Sequence, residues 1–227
     1  MVCRLEQDTS MPTISDRRPY GKERIMEIIK LEADQRKRAA AVVADAFFNY
    51  PMMVHYFPDP RKRRRRLTWY LKNALNCAIR YGEAFVTSDF TGVLFILPPG
   101  HTRLTNKEYI KGGFLMVPLI MGYRNYKLSN ECERFVADTH ERLMDGRRHY
   151  YLWGLVTDPN ARRKGVGSAL MRIILDKADT ENVPIYLETH DRSNIAYYER
   201  FGFKLIHTDV IPGHGLDIWC MLREAAG

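Results

Sequence analysis

Seven consecutive residues, Arg162-Arg163-Lys164-Gly165-Val166-Gly167-Ser168, have the types and spacing needed to hold a phosphate or pyrophosphate. They follow the turn Asp158-Pro159-Asn160. They run into Val166, Leu170, Ile173, Ile174 and Ala178, which recur at helical spacing. A helix therefore opens on this loop. Its first N–H groups have no internal acceptors, and its dipole adds positive potential there. A pyrophosphate can satisfy those donors. Glycines at 165 and 167 let the ligand approach the backbone without a Cβ in the way. Arg162, Arg163 and Lys164 supply charge for the remaining oxygens. Other phosphate loops fit poorly. A dinucleotide fingerprint needs glycine where Leu170 stands, and no GxxxxGK[ST] is present. The alternative is a strand-to-helix turn with basic residues at the surface.

Further chemistry-bearing residues lie downstream. Glu188 ends the short apolar stretch from Ile185, His190 follows it, and Tyr198 to Phe203 reads Y-x-x-x-G-F. The seven histidines form neither HExxH nor HxxxH. Cys3, Cys77, Cys132 and Cys220 are far apart with no CxxC, so no metal site is expected and the thiols read as reduced, in a cytoplasmic protein.

The net charge of +8 favours an anionic partner. Arg61 to Arg66 is the densest charge run, but it opens a helix. Its side chains fan around the axis without forming a stripe, and no aromatic platform accompanies them. It is read as a solvated face and not as a nucleic-acid site. Phe47, Phe48 and Tyr50, with Met52, Met53 and Tyr56, form an aromatic and methionine-rich cluster. It suits either an apolar amine ligand or packing between helices.

The elements that must position these groups read as mixed α and β. A strand is expected over Arg24–Leu31, then a helix capped by Asp34 and stopped by Pro51. A second helix spans Arg61–Tyr81, and two strands follow over Glu83–Ser88 and Gly92–Leu97. Thr105 to Glu108 fits a capping box. Phe114–Met121, eight residues with Pro118, is too short for a membrane span of about 20 and reads as a buried helix segment or pocket wall. A helix covers Ser129–Met144. Tyr150–Val156 is a central strand. Ile185–Glu188 is another, Ser193 or Asn194 caps a short helix ending at Gly202, and Phe203–Val210 and Leu216–Leu222 close the chain. Residues 1–20, polar and without an apolar h-region, are expected to form a flexible tail before one domain over 21–227.

The R-x-x-G-x-G loop after V-x-x-P (Val156 to Pro159), followed by Y-x-x-x-G-F, resembles the GNAT superfamily of acetyltransferases. The runs His149–Leu170 and Tyr186–Phe203 look like its puromycin N-acetyltransferase group. The resemblance implies a mixed, mostly antiparallel sheet flanked by helices, with two central parallel strands splayed apart. It implies acetyl-CoA as co-substrate and a small-molecule amine as acceptor. A protein amine is the alternative acceptor, and a non-catalytic acyl-CoA-binding module the alternative role. Backbone groups of Leu155 and Val156 would pair with the pantetheine arm, Arg163 to Ser168 would hold the pyrophosphate, and Asn194 would touch the arm. Tyr198 would protonate the leaving thiolate. A phenol pKa of about 10 against about 8.5 for a thiol makes that transfer uphill by only about 2 kcal/mol. Many members place a glutamate on the strand before the loop. Tyr150–Thr157 contains none, so Glu188 becomes the expected base. The N-terminal helices, with Phe47, Phe48 and Tyr50, would build the acceptor site.

Overall fold

A computed structural model describes residues 26–161 and 163–226. The expected tail, Arg162 and Cys3 lie outside the described residues. Seven strands form one sheet: β1 (Ile28–Lys30), β2 (Glu83–Thr87), β3 (Gly92–Leu97), β4 (Tyr150–Thr157), β5 (Ile185–Thr189), β6 (Lys204–Ile211) and β7 (Leu216–Arg223). Their order is β1-β2-β3-β4-β5-β7-β6. Every pair is antiparallel except β4–β5, as expected from the resemblance.

Helices cover both faces. On one side lie α1 (Arg36–Ala46), α2 (Pro51–Tyr56), α3 (Pro60–Tyr81), α4 (Asn106–Gly112), α5 (Val117–Met121) and α6 (Tyr123–Met144). On the other, α7 (Val166–Glu181) buries Val166, Leu170, Ile174 and Ala178 against β3, β4 and β5. The short α8 (Ile195–Glu199) follows β5. In α3 the apolar residues Leu67, Leu71, Ala74, Leu75 and Ala78 are buried at helical spacing. Asp59 caps its start by accepting from the Arg61 N–H at 3.0 Å. The Thr105–Glu108 capping box forms at α4.

Several boundaries differ from expectation. Asp34 is not a cap: Gln35 precedes α1 and makes no side-chain cap bond. Pro51 does not merely stop a helix; it begins α2, where its missing N–H costs nothing. Asp191, not Ser193 or Asn194, caps the turn before α8, accepting from the Ser193 N–H at 2.9 Å. The Phe114–Met121 run is not one buried helix. It breaks into a tight turn and α5, with Phe114 and Met121 buried but Leu115 and Leu119 67% and 72% exposed.

The Arg61–Arg66 run fans as expected, with one exception. Arg63 is buried and donates to the carbonyls of Phe57 (2.6 Å), Pro58 (3.0 Å) and Phe48 (3.2 Å). It ties the start of α3 to the ends of α1 and α2. Arg64 forms a bidentate, exposed pair with Asp45.

The feature that matters for function is the β4–β5 pair. Its ladder holds only Tyr150 with Ile185 and Tyr151 with Tyr186, although β4 continues to Thr157 and β5 to Thr189. Each strand stays paired on its outer side, β4 with β3 as far as Thr157 and β5 with β7 as far as Thr189. The two therefore diverge, leaving inward-facing backbone groups of Leu152–Thr157 without a strand partner. A bulge at Trp153 accompanies this: Ile96 faces Leu152 while Phe95 faces Gly154. A Cβ on Gly154 would run into the Phe95 ring, so glycine is required at the bulge. The extra residue reverses the alternation along β4. Tyr150 and Leu152 pack on the α7 side, and Val156 packs on the other.

Candidate active site

At the open end of the splayed strands sits the glycine loop. Arg163, Lys164 and Gly165 are exposed, and the chain turns through left-handed conformations at Arg163 (φ 64°) and Gly165 (φ 81°) before α7 begins. No side chain caps this terminus. Its first backbone bond runs from the Ala169 N–H to the Gly165 carbonyl. The N–H groups of Val166, Gly167 and Ser168 thus belong to an uncapped first turn with cationic residues ahead of it, a donor set suited to a diphosphate. Gly165 has open space around it and is needed for its positive φ. Gly167 has a different reason: a Cβ there would lie 2.7 Å from the Tyr197 hydroxyl and 3.3 Å from Thr157 Oγ1. Val166 is buried in the core, so it contributes its backbone alone.

On the α1–α6 side of the sheet, the divergence of β4 from β5 opens an inner chamber of about 130 Å³. Glu188, Tyr198, Asn194, Leu155, Phe47 and Tyr50 all line it. Seven-strand topology thus gathers residues 47 to 198 of the sequence at one point. The inner chamber adjoins a larger cavity of about 640 Å³ between β3, β4 and helices α4 to α6. The two share Tyr70, Tyr109, Glu133, Val136, Tyr151 and Trp153. Of the remaining expected residues, Val156 is packed in the core and not in the chamber wall. Phe48 is also absent from the wall. Its ring lies under the Arg63 guanidinium, 5.0 Å from ring centroid to charge, because it faces the start of α3 and away from β5.

The chamber's polar groups are held in place. The Tyr50 hydroxyl receives the His190 N–H at 2.6 Å and lies 3.2 Å from Thr189 Oγ1. Burial pushes the Tyr50 phenol up to about 12. Asn194 Nδ2 donates to Thr189 Oγ1 at 3.0 Å. Glu188 accepts from the Tyr151 hydroxyl through Oε1, while its Oε2 is buried with no partner among the described residues. Burial raises the Glu188 carboxyl to about 8, with Glu133 adding to the rise, against the opposing pull of the Tyr151 and Tyr186 hydroxyls. Tyr198 is raised well above the ordinary phenol range, first by burial and then by Tyr50, Tyr197 and Glu188. His190 is lowered by burial and bonds the Asp217 carbonyl through Nδ1 at 2.8 Å, which engages one of its ring nitrogens.

Sequence reasoning passed over Tyr151 and Glu133. Tyr151 sits in an apolar run with no feature to mark it. Glu133 was readable: it falls on the α6 face that buries Ser129, Val136 and His140, where a carboxylate is out of place.

Residues 120–203 match the model of the acetyltransferase (GNAT) family. An uncharacterised N-acetyltransferase of Schizosaccharomyces pombe (strain 972 / ATCC 24843) is 26% identical over 179 residues, 77% of this chain and 72% of the relative. The fold is similar to that of a solved histone acetyltransferase HPA2 and related acetyltransferase from Corynebacterium glutamicum ATCC 13032. That pair is 19% identical, covers 89% of this chain and 97% of the other, and has a TM-score of 0.61. It is also similar to a polyamine N-acetyltransferase of Drosophila melanogaster, 12% identical, covering 88% and 99%, with a TM-score of 0.56. The residues matched by the family model take in the splayed pair, the glycine loop and the uncapped start of α7, so the likeness falls on the part of the fold that builds the site. Among the described residues no helix is long and apolar enough to cross a membrane.

Proposed function

We propose that the protein acetylates the primary amine of a small molecule by direct attack within a ternary complex. One observation carries this reading: Glu188 and Tyr198 line the same chamber, beside Leu155, at the opening between β4 and β5. Acetyl-CoA supplies the activated acetyl group. Arg163 to Ser168 hold its pyrophosphate, with Arg162 adding charge, and Leu155 and Val156 offer backbone groups to the pantetheine arm as an added strand. Asn194 flanks the arm.

Glu188 accepts the proton that the amine loses as its nitrogen bonds to the acetyl carbon. Tyr198 gives a proton to the sulfur as the carbon–sulfur bond breaks. The products are an N-acetyl amine and a free thiol, and solvent restores both side chains. Burial of Tyr198 keeps the phenol protonated across the working pH range; by raising it, burial also makes the transfer more uphill than from an ordinary phenol, so the proton moves only as negative charge builds on the departing sulfur. The larger adjoining cavity is concave and walled by aromatic rings, which suits a small molecule better than an extended peptide. The finer likeness of His149–Leu170 and Tyr186–Phe203 to the puromycin N-acetyltransferase group favours an aminonucleoside-like or similar metabolite amine.

The test is a panel of amines with acetyl-CoA, reading thiol release. Turnover on at least one small amine is expected, with Tyr198→Phe lowering kcat by roughly 100-fold and leaving CoA affinity unchanged. A protein that binds CoA yet releases no thiol with any small amine would refute it.

A further inference from the structure

We infer that His55, Cys132 and His214 form a binding site for one zinc ion, which fastens α2, α6 and the turn between β6 and β7 to one another. One ligand atom from each residue lies within 4.8 Å of the other two. His55 Nε2 and His214 Nδ1 are already 3.0 Å apart, with their rings nearly perpendicular at 86°. Four-coordinate zinc, with bonds of about 2.0 Å to nitrogen and about 2.3 Å to sulfur, holds its donors about 3.3 to 3.6 Å apart, so side-chain movements of roughly 1 Å close the group. Among the described residues no other three such donors come together in this way.

Two imidazoles and a thiolate are a set that zinc favours. They come from three elements far apart in the chain, so no spacing in the sequence marks them. His55 lies in the last turn of α2, and Cys132 on the buried face of α6. His214 lies in the turn that joins β6 to β7, between Gly213 (φ 77°) and Gly215 (φ 61°). Such a turn usually faces solvent. Yet the His214 side chain is only 6% exposed, folded in against His55 and Glu131.

The surroundings of His214 point the same way. Glu131 Oε2 lies 3.5 Å from its Nε2, while its Nδ1 faces His55. A carboxylate there keeps the proton on Nε2 and leaves the Nδ1 lone pair directed at His55. Metal-binding imidazoles take the same orientation from an outer carboxylate. The alternative is a hydrogen bond between two neutral imidazoles, with Cys132 as a small buried apolar residue; metal titration separates the two. Burial pushes the Cys132 thiol up to about 12, so it holds its proton until a cation arrives. Zinc displaces that proton to solvent as the sulfur bonds the metal. The ion then faces the thiolate and the Glu131 carboxylate, and water completes the fourth position past the half-buried His55.

None of the three ligands lines either cavity. The ion stands behind the chamber wall and braces it, since α2 contributes Met52 and Met53 to that wall and α6 contributes Glu133. Its role is structural, and the inference does not depend on acetyl transfer.

The experiment titrates untagged, chelator-treated protein with Zn2+ and, as a spectroscopic stand-in, with Co2+. One equivalent of Zn2+ should bind with a Kd below about 1 μM, and saturating ion should raise Tm by roughly 5 °C or more. Co2+ should give the visible bands of a four-coordinate ion and the near-ultraviolet charge-transfer band of a cobalt–thiolate bond. Cys132→Ser should lose the charge-transfer band, and Cys3→Ser should keep it. His55→Gln and His214→Gln should each weaken Zn2+ binding by roughly 100-fold. Parent protein that takes up no Zn2+ at micromolar concentration, or shows no thiolate band with Co2+, would overturn the inference. So would a band that survives Cys132→Ser, or a Zn2+ affinity unchanged in both histidine variants. If Cys132→Ser does not fold, His55→Gln, at a half-buried position, decides by its Zn2+ affinity.

Discussion

The Tyr151 hydroxyl donates to Glu188 Oε1 across the line where β4 and β5 stop pairing. Residue 151 is the last β4 residue in that ladder, and Glu188 lies two residues past its partner Tyr186. The bond therefore holds the carboxylate at the lip of the opening. With its carboxyl raised to about 8 by burial, Glu188 gains the basic form only as pH rises through that value. The kcat/KM profile should climb through about pH 8, and Glu188→Gln should lose that limb, keeping only the limb of the amine itself. The sign for stability is opposite. A carboxyl whose folded pKa is raised favours the folded state below its unfolded value and loses that contribution as pH rises to 8. Glu188→Gln should accordingly raise Tm at pH 8 to 9 and change it little at pH 4, as read by thermal unfolding.

Gly165 and Gly167 should fail for different reasons. Gly165→Val faces no collision but must adopt φ 81°, which strains the loop and should weaken CoA binding at least about 10-fold. Gly167→Val drives a side chain into the Tyr197 hydroxyl. Tyr197→Phe removes that oxygen and should restore part of the CoA affinity lost by Gly167→Val, but none of that lost by Gly165→Val. Calorimetric titration with CoA measures both. Unchanged affinity in the two single variants would refute the loop assignment.

Within the Arg61–Arg66 run one residue is structural. Arg63→Met removes charged bonds to three carbonyls and should cost about 2 to 4 kcal/mol of stability in denaturant unfolding. Replacing the exposed Arg61, Lys62 or Arg65 by Ala should each change stability by no more than about 0.5 kcal/mol.

His140 stacks on Tyr186 at 4.1 Å and meets His149 Nε2 at 2.7 Å, in the core behind the parallel pair. Burial, with His149 and Arg103, lowers its pKa to about 3. Unfolded, it protonates near 6.5. The folded state therefore loses stability as pH falls from about 6.5 towards 3, by about 1.4 kcal/mol per pH unit from this group. His140→Phe should flatten that part of the stability profile; an unchanged acid limb would assign it to other groups.

Local signals were legible wherever the chemistry was local. The α4 capping box, the apolar face of α3 and the glycine loop entering α7 appear where residue types and spacing put them. Helix ends were read less well. Gln35 precedes α1, whose buried face is Ala39, Ala40 and Val43, without making a side-chain cap, and Pro51 opens α2 because its missing N–H costs nothing in a first turn. Phe48 was misplaced for a related reason. Neighbours in sequence at a helix end face different ways, and Arg63, fifteen residues on, claims that ring.

The sequence by itself determined the phosphate-type loop, the order of the seven strands, and the pairing of Tyr198 with a glycine turn at Gly202, all consequences of contacts within a few residues. Only the tertiary structure decided that Glu188 and Glu133, more than fifty positions apart, share one acidic chamber in a basic protein. It also decided that Tyr151 orients the first and that Tyr56 and Tyr70 hold the second. Those relationships depend on where β4 and β5 part and on which face α6 turns inward. Sheet pairing and helix packing set such distances, and no spacing along the chain encodes them.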